Sequence, residues 1–159
     1  MAGLVIVLGL MVSLARHVRL VSAESLTRDI LHRLDEAMAM YVSRDGMLPP
    51  EIPPLIEDNH QPLSEIGLQR PAERNNEAFV RALKSEGLLA GRFDDLSIAY
   101  YDEARVRDAW GTPIVFMAKM NPAIGMNPKG WFFFSAGPDR QYLTRDDNIN
   151  SYDQPVLRH

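Results

Sequence analysis

Asp139, Asp146 and Asp147 crowd one short stretch, FFFSAGPDRQYLTRDDNINSYD (132–153), directly after an apolar run and a Gly-Pro turn. Like charges placed this close repel one another, and a solvated loop has no need of them. Three explanations are open: independent solvated acids, ion pairs from Arg140 or Arg145, or a bound cation. Calcium takes about six to eight oxygens at ~2.3–2.6 Å, from carboxylates, backbone carbonyls and water. Three aspartates with free carbonyls nearby could supply such a set without regular secondary structure. The alternating Asp/Asn ligands, central Gly and closing Glu of an EF-hand are absent.

Paired carboxylates also serve as acid and base, as in glycoside hydrolysis. Asp146 and Asp147, however, are adjacent in sequence and would point apart in an extended backbone. No nucleotide-binding glycine loop, nucleophile elbow or zinc-protease helix motif occurs. His17, His32, His60 and His159 are scattered without metal-ligand spacing, and the lack of cysteine excludes disulfides and thiolate sites. A net charge of -4 and a pI near 5.5 give no basic field for nucleic acid. The expectation is a protein that is not an enzyme and does not bind nucleic acid.

The chain has 159 residues, of which 46% are hydrophobic and 24% charged, enough for one domain with a modest core. Its first segment, AGLVIVLGLMVSLA (2–15), carries no charge. As a helix it spans roughly 21 Å, short of the ~30 Å hydrocarbon core of a bilayer. A buried core helix and an interfacial anchor are alternatives, and a membrane-inserting helix is the favoured reading. Arg16, His17 and Arg19 follow it, and positive-inside bias taken alone places the C-terminal side in the cytoplasm. Beyond them, Leu26, Ile30, Leu34, Met38 and Tyr41 repeat at helical spacing, widened by Leu31 and Ala37, with charges on the other side. No Pro or Gly interrupts the run until Asp45-Gly46, where a left-handed glycine ends helices and Pro49-Pro50 forbids continuation.

Residues 47–72 are dense in proline and read as an extended connection with one short helical turn near Leu63–Leu68. Asn75 or Asn76 then offers an N-cap for a second, short helix with Phe79, Val80, Leu83 and Leu88 on one face. LSIAYYD (96–102), TPIVFMAKM (112–120) and GWFFFSA (130–136) are rich in β-branched and aromatic residues and predict three antiparallel strands.

Several of these segments carry a family resemblance. Asp108-Ala109-Trp110-Gly111-Thr112-Pro113-Ile114 resembles the D-P-W-G-x-P-Y motif of the major pseudopilins of type II secretion. Phe134-Ser135-Ala136-Gly137-Pro138-Asp139, with Asp146-Asp147-Asn148-Ile149, is similar to their F-S-x-G-x-D…D-D-I calcium loop. Tyr41 followed by Asp45-Gly46-Met47-Leu48-Pro49 is similar to the end of their first helix, and residues 50–105 carry little of the likeness. The resemblance implies that Asp139, Asp146 and Asp147 match the family's side-chain calcium ligands, with the carbonyls of Ala136 and Asn148 as additions. Two positions depart: Arg140 and Leu143 stand where the family commonly has Gly. The family also begins with a basic leader, a Gly before the cleaved bond and a Phe-Thr-Leu-x-Glu start. This sequence opens Met1-Ala2-Gly3-Leu4 and its first acid is Glu24, so an upstream start, with the recorded chain beginning inside the helix, is expected.

The expected fold is α+β and pilin-like: a long N-terminal helix (1–44), membrane-inserting at first, packed on a head (45–159) with a small antiparallel sheet of about three strands. The resemblance implies a structural subunit of a secretion or pilus filament. It would sit in the cytoplasmic membrane with a periplasmic head, bind other pilin-like subunits, and carry a structural calcium ion. The alternative is a membrane-anchored binding module that never polymerises and whose acidic loop is paired with arginine.

Overall fold

A computed structural model describes residues 2–56 and 64–153, with side chains from Val18 onward. The first helix, α1, spans Ala2–Asp45. Its expected apolar stripe is the one that buries: Ile30, Leu31, Leu34, Ala37 and Met38 are fully enclosed, with Leu26 and Tyr41 half-buried beside them. Charges on the other side pair one turn apart, Arg28 with Glu24 at 2.9 Å and Arg33 with Asp29 at 2.8 Å. Such i,i+4 pairs, half-buried on the arginine side, each contribute only a few tenths of a kcal/mol; α1 is held chiefly by its buried stripe. The helix stops at Gly46, which adopts φ +73 and donates its N–H to the Val42 carbonyl at 2.9 Å. Among the described residues no helix is long and apolar enough to cross a membrane. The membrane-inserting segment expected at 2–15 lies outside the described side chains.

The second helix, α2, spans Glu65–Ser85 and so differs from expectation. It does not start at Asn75 or Asn76; the helical turn expected near Leu68 is its first turn, and Pro71 lies inside it. A proline in a helix interior costs about 3 kcal/mol. That cost is offset because Leu68 and Ala72 extend the buried face defined by Phe79, Val80 and Leu83. The two asparagines also find better partners than a helix end. Asn75 Nδ2 donates to the carbonyls of Pro53 (2.8 Å) and Phe116 (2.9 Å), and Asn75 Oδ1 accepts the Phe116 N–H (2.7 Å). Asn76 treats Val106 the same way and also donates to the Ile114 carbonyl at 2.7 Å. Both are fully buried.

Three strands, β1 (Val115–Met117), β2 (Phe132–Ser135) and β3 (Ile149–Asn150), form an antiparallel sheet in the order β1-β2-β3. The register sets Val115 against Phe134, Phe116 against Phe133 and Met117 against Phe132. The strand expected at 96–102 is not one. That segment folds as turns with a single bridge from Tyr101 to Val106, and Ile98 is 78% exposed. Leu96, Tyr100 and Tyr101 pack against the core from turns rather than from one alternating face, so β propensity alone does not make a strand.

The unbroken Phe132-Phe133-Phe134 run is explained by burial on both faces of the sheet. Phe133 and Phe116 face the helices in one core, where Phe133 meets Phe79 edge-on at 5.1 Å. Phe132, Phe134, Val115 and Met117 face a second core closed by Leu68, Ala72 and Tyr142. The expected α+β architecture, a long helix packed on a small antiparallel sheet, is thus the one observed, with α2 added to the packed layer.

Candidate functional site

The acidic loop leaves β2 at Ser135 and returns to β3 at Ile149. Its neck is closed by backbone contact. Gly137 adopts φ +69, and a Cβ there would collide with the Asp147 carbonyl oxygen, so only glycine allows the two ends to touch. Arg140 takes the same left-handed region at φ +61, where a side chain is disfavoured.

A chain of hydrogen bonds ties this neck to the tryptophan turn. Ser135 Oγ accepts the Gly137 N–H at 2.9 Å and donates to Asp108 Oδ2 at 2.6 Å. Asp108 Oδ1 in turn accepts the N–H groups of Trp110 (3.0 Å) and Thr112 (2.8 Å). Asp108 has no exposed surface; burial pushes its carboxyl above the ordinary carboxylate value, and the hydrogen bonds from Ser135 and the turn only partly oppose that. The Ala109 N–H donates to Thr27 Oγ1 at 3.1 Å, anchoring the turn to α1.

The far side of the loop is equally fixed. Glu65, the first residue of α2, accepts the backbone N–H groups of Tyr142 (2.7 Å) and Leu143 (3.0 Å) on its two carboxylate oxygens. Tyr142 is buried, and its hydroxyl donates to the Pro113 carbonyl at 3.0 Å; burial raises its pKa. Asn148 Nδ2 donates to the Tyr142 carbonyl at 2.9 Å, while Asn148 Oδ1 is buried without a partner among the described residues.

The residues singled out from the sequence therefore share one loop but divide into two kinds. Ala136 and Asn148 are buried in its neck. Asp146 and Asp147 are exposed and line a cleft of about 390 Å³ whose other wall is α1, with Glu24 and Arg28, and whose margin is Trp110. Asp139 lies apart in the turn, where its Oδ1 accepts the Gln141 N–H at 2.9 Å. Among the described residues no three acidic or histidine side chains converge closely enough to hold an ion together. Nor does Arg140 or Arg145 form an ion pair with these acids; Arg145 donates to the Pro122 carbonyl at 3.2 Å instead.

The donors are of the oxygen type that calcium takes, although Asp139 does not line the cleft with Asp146 and Asp147 and the three carboxylates do not converge. Two exposed carboxylates and an unpartnered amide oxygen sit beside a fixed backbone, and Asp139 keeps one carboxylate oxygen clear of the Gln141 N–H. Three residues that shape the site had no motif to mark them: Glu65, Arg28 and Thr27. Comparison with protein-family models, curated proteins and solved structures found no match to this chain.

Proposed function

We propose that this chain is a pilin-like structural subunit, similar to the major pseudopilins of type II secretion, whose head holds calcium in the 136–148 loop. The observation that carries this reading is the bond chain Asp108–Ser135–Gly137. The two motifs behind the resemblance lie more than twenty residues apart, yet one buried carboxylate and one hydroxyl wire them together. Arg140 supports it as well, since the position where the family has glycine adopts the conformation glycine favours.

Asp139, Asp146 and Asp147 would hold the ion by their carboxylates, with the Ala136 and Asn148 carbonyls completing the set. Bound calcium supplies charge that offsets the repulsion of these acids and so fixes the loop, a structural role. The protein's own groups hold the frame in place: Glu65 clamps the tip through Tyr142 and Leu143, and Gly137 closes the neck. In assembly the helix would pack among neighbouring helices in the membrane and filament, with the head outward.

Two measurements on the full chain test the reading. Titration calorimetry with calcium should show about one equivalent bound, with a raised Tm that chelator reverses and Asp146→Ala abolishes. Absence of heat and of any shift overturns the calcium assignment. Electron microscopy of the expressed chain with and without co-expressed pilin-like subunits should show filaments or a co-purifying complex. A chain that stays solitary in both conditions overturns the assembly role.

A further inference from the structure

The connection from β1 to β2, residues 118–131, is built inside out. The triplet Met-Asn-Pro occurs in it twice, at 120–122 and 126–128. Each asparagine folds the backbone around its own amide. Asn121 Oδ1 accepts the Ala123 N–H at 2.9 Å, and its backbone carbonyl accepts the Gly125 N–H at 2.8 Å. Asn127 Oδ1 accepts the Lys129 N–H at 3.1 Å, and its Nδ2 donates to the Trp131 carbonyl at 2.6 Å. Ile124 plugs the loop into the second core, and the Tyr152 hydroxyl accepts the Met126 N–H at 3.0 Å. The loop thus uses its polar groups for its own frame and turns apolar groups to solvent. Met120 and Met126 are 49% and 51% exposed, and Pro122, Ala123 and Pro128 are exposed beside them.

A rigid apolar patch turned to water marks an interaction site, because a preformed frame lowers the ordering cost of binding. Charge says what kind of partner it fits. From 109 to 138 the chain carries Lys119 and Lys129 but no Asp or Glu, although it has 21 acidic residues in all. Both lysines are exposed at the rim of the patch; Lys129 Nζ stands 3.8 Å from Asp35 of α1, with 67% of its side chain still exposed. Lys119 and Met120 also line a groove of about 350 Å³ whose opposite wall is the proline-bearing stretch 52–56. The side chains offered are methionine, proline and alanine. A loop that inserts into lipid presents tryptophan, phenylalanine or leucine, whereas methionine adapts to the contours of a protein partner.

We propose that this loop is the docking surface for an acidic segment of another protein, one that sets carboxylates around an apolar side chain. Lys119 and Lys129 donate to the carboxylates. The apolar side chain enters the groove between Met120 and residues 52–56, and Met126 covers its flank. The inference goes beyond the calcium and assembly reading above and does not rest on it.

Random peptides displayed on phage are selected on the full chain after depletion on the variant Met120→Ser/Met126→Ser, so that survivors depend on the loop. The expected survivors combine Asp or Glu with an apolar side chain. As free peptides they should bind the parent chain more weakly as salt rises, and should lose about tenfold or more in affinity for Lys119→Glu/Lys129→Glu. Replacing the acids of a survivor by lysine should invert its preference between the parent and that lysine variant. Unchanged urea midpoints check that both variants fold. Selection that yields no loop-dependent peptide, or peptides without acids that bind the lysine variant as well as the parent, overturns the proposal. Flotation with phosphatidylglycerol vesicles is run in parallel on the parent and the methionine variant. Equal retention of the two is expected, since segment 2–15 is common to both. Retention that depends on Met120 and Met126 assigns the loop to lipid and overturns the protein partner.

Discussion

Replacing Gly137 by alanine should open the acidic loop at its neck. Two costs add. The backbone there is held at φ +69, which a residue with a Cβ adopts at about 1–2 kcal/mol. The new methyl also meets the Asp147 carbonyl, a backbone atom with no rotamer to escape into, and displacing it costs about 1–3 kcal/mol more. The sum is roughly 2–5 kcal/mol, or about 5–15 °C in Tm for a domain of this size. Gly130 provides the control, since it sits at φ +90 but a Cβ there would meet nothing within 4 Å. Gly130→Ala should therefore show the conformational cost alone, about 1–2 kcal/mol. Urea unfolding followed by the fluorescence of Trp110 and Trp131 measures both variants. Because Gly137→Ala pushes on Asp147, its calcium affinity should fall as well, while that of Gly130→Ala stays at the parent value. Equal destabilisation by the two alanines would refute the proposed collision and with it the closed neck.

Other expectations concern the groups that hold the site. Asn76→Ala should cost about 2–4 kcal/mol in urea unfolding, because it strands the Val106 N–H and two carbonyls in the core. Asn76→Asp should be no milder at neutral pH, since a charge would then face those carbonyls; a loss below about 1 kcal/mol in either variant would contradict the assigned bonds. Asp108 has a pH signature. Burial raises its carboxyl pKa, so the folded chain holds that proton more tightly than the unfolded chain does. Its contribution is therefore fully present below the ordinary carboxylate value, about 4, and is lost as pH rises through the raised one. Asp108→Asn should flatten that decline when stability is compared across the range, and an unchanged pH profile would contradict the assignment.

How far the sequence disclosed this structure depended on whether a segment's burial followed from its own pattern. The stripe from Leu26 to Tyr41 did, because helical spacing and a Gly-Pro stop specify both face and end. The Phe132–Phe134 run also did as a strand, though its burial on two sides appears only in the fold. The start of α2 did not: Pro71 and the asparagines are local signals against a helix interior, and they are overruled by partners thirty or more residues away, at Val106, Ile114 and Phe116. Residues 96–102 failed for the opposite reason, a strand-like composition that finds a core contact but no strand to pair with beyond the single Tyr101–Val106 bridge. The acidic loop was visible from the crowding of its charges. Its second wall was not, because nothing in the sequence says that Glu24 and Arg28 stand across a cleft from Asp146 and Asp147.

The paired asparagines of α2 have a consequence for how this protein can associate. A terminal strand ordinarily offers a row of free N–H and C=O groups, a template on which a foreign strand can grow a larger sheet. At the middle of β1 both backbone groups of Phe116 that point away from β2 are consumed by one side-chain amide, and Asn76 occupies the neighbouring Val106 and Ile114 groups in the same manner. Two amides thus stand in for a missing strand and seal that side of the sheet against templated growth. On that side of the sheet, any contact with another chain is left to side-chain surfaces, where sequence can specify register and partner and where association can be undone by salt.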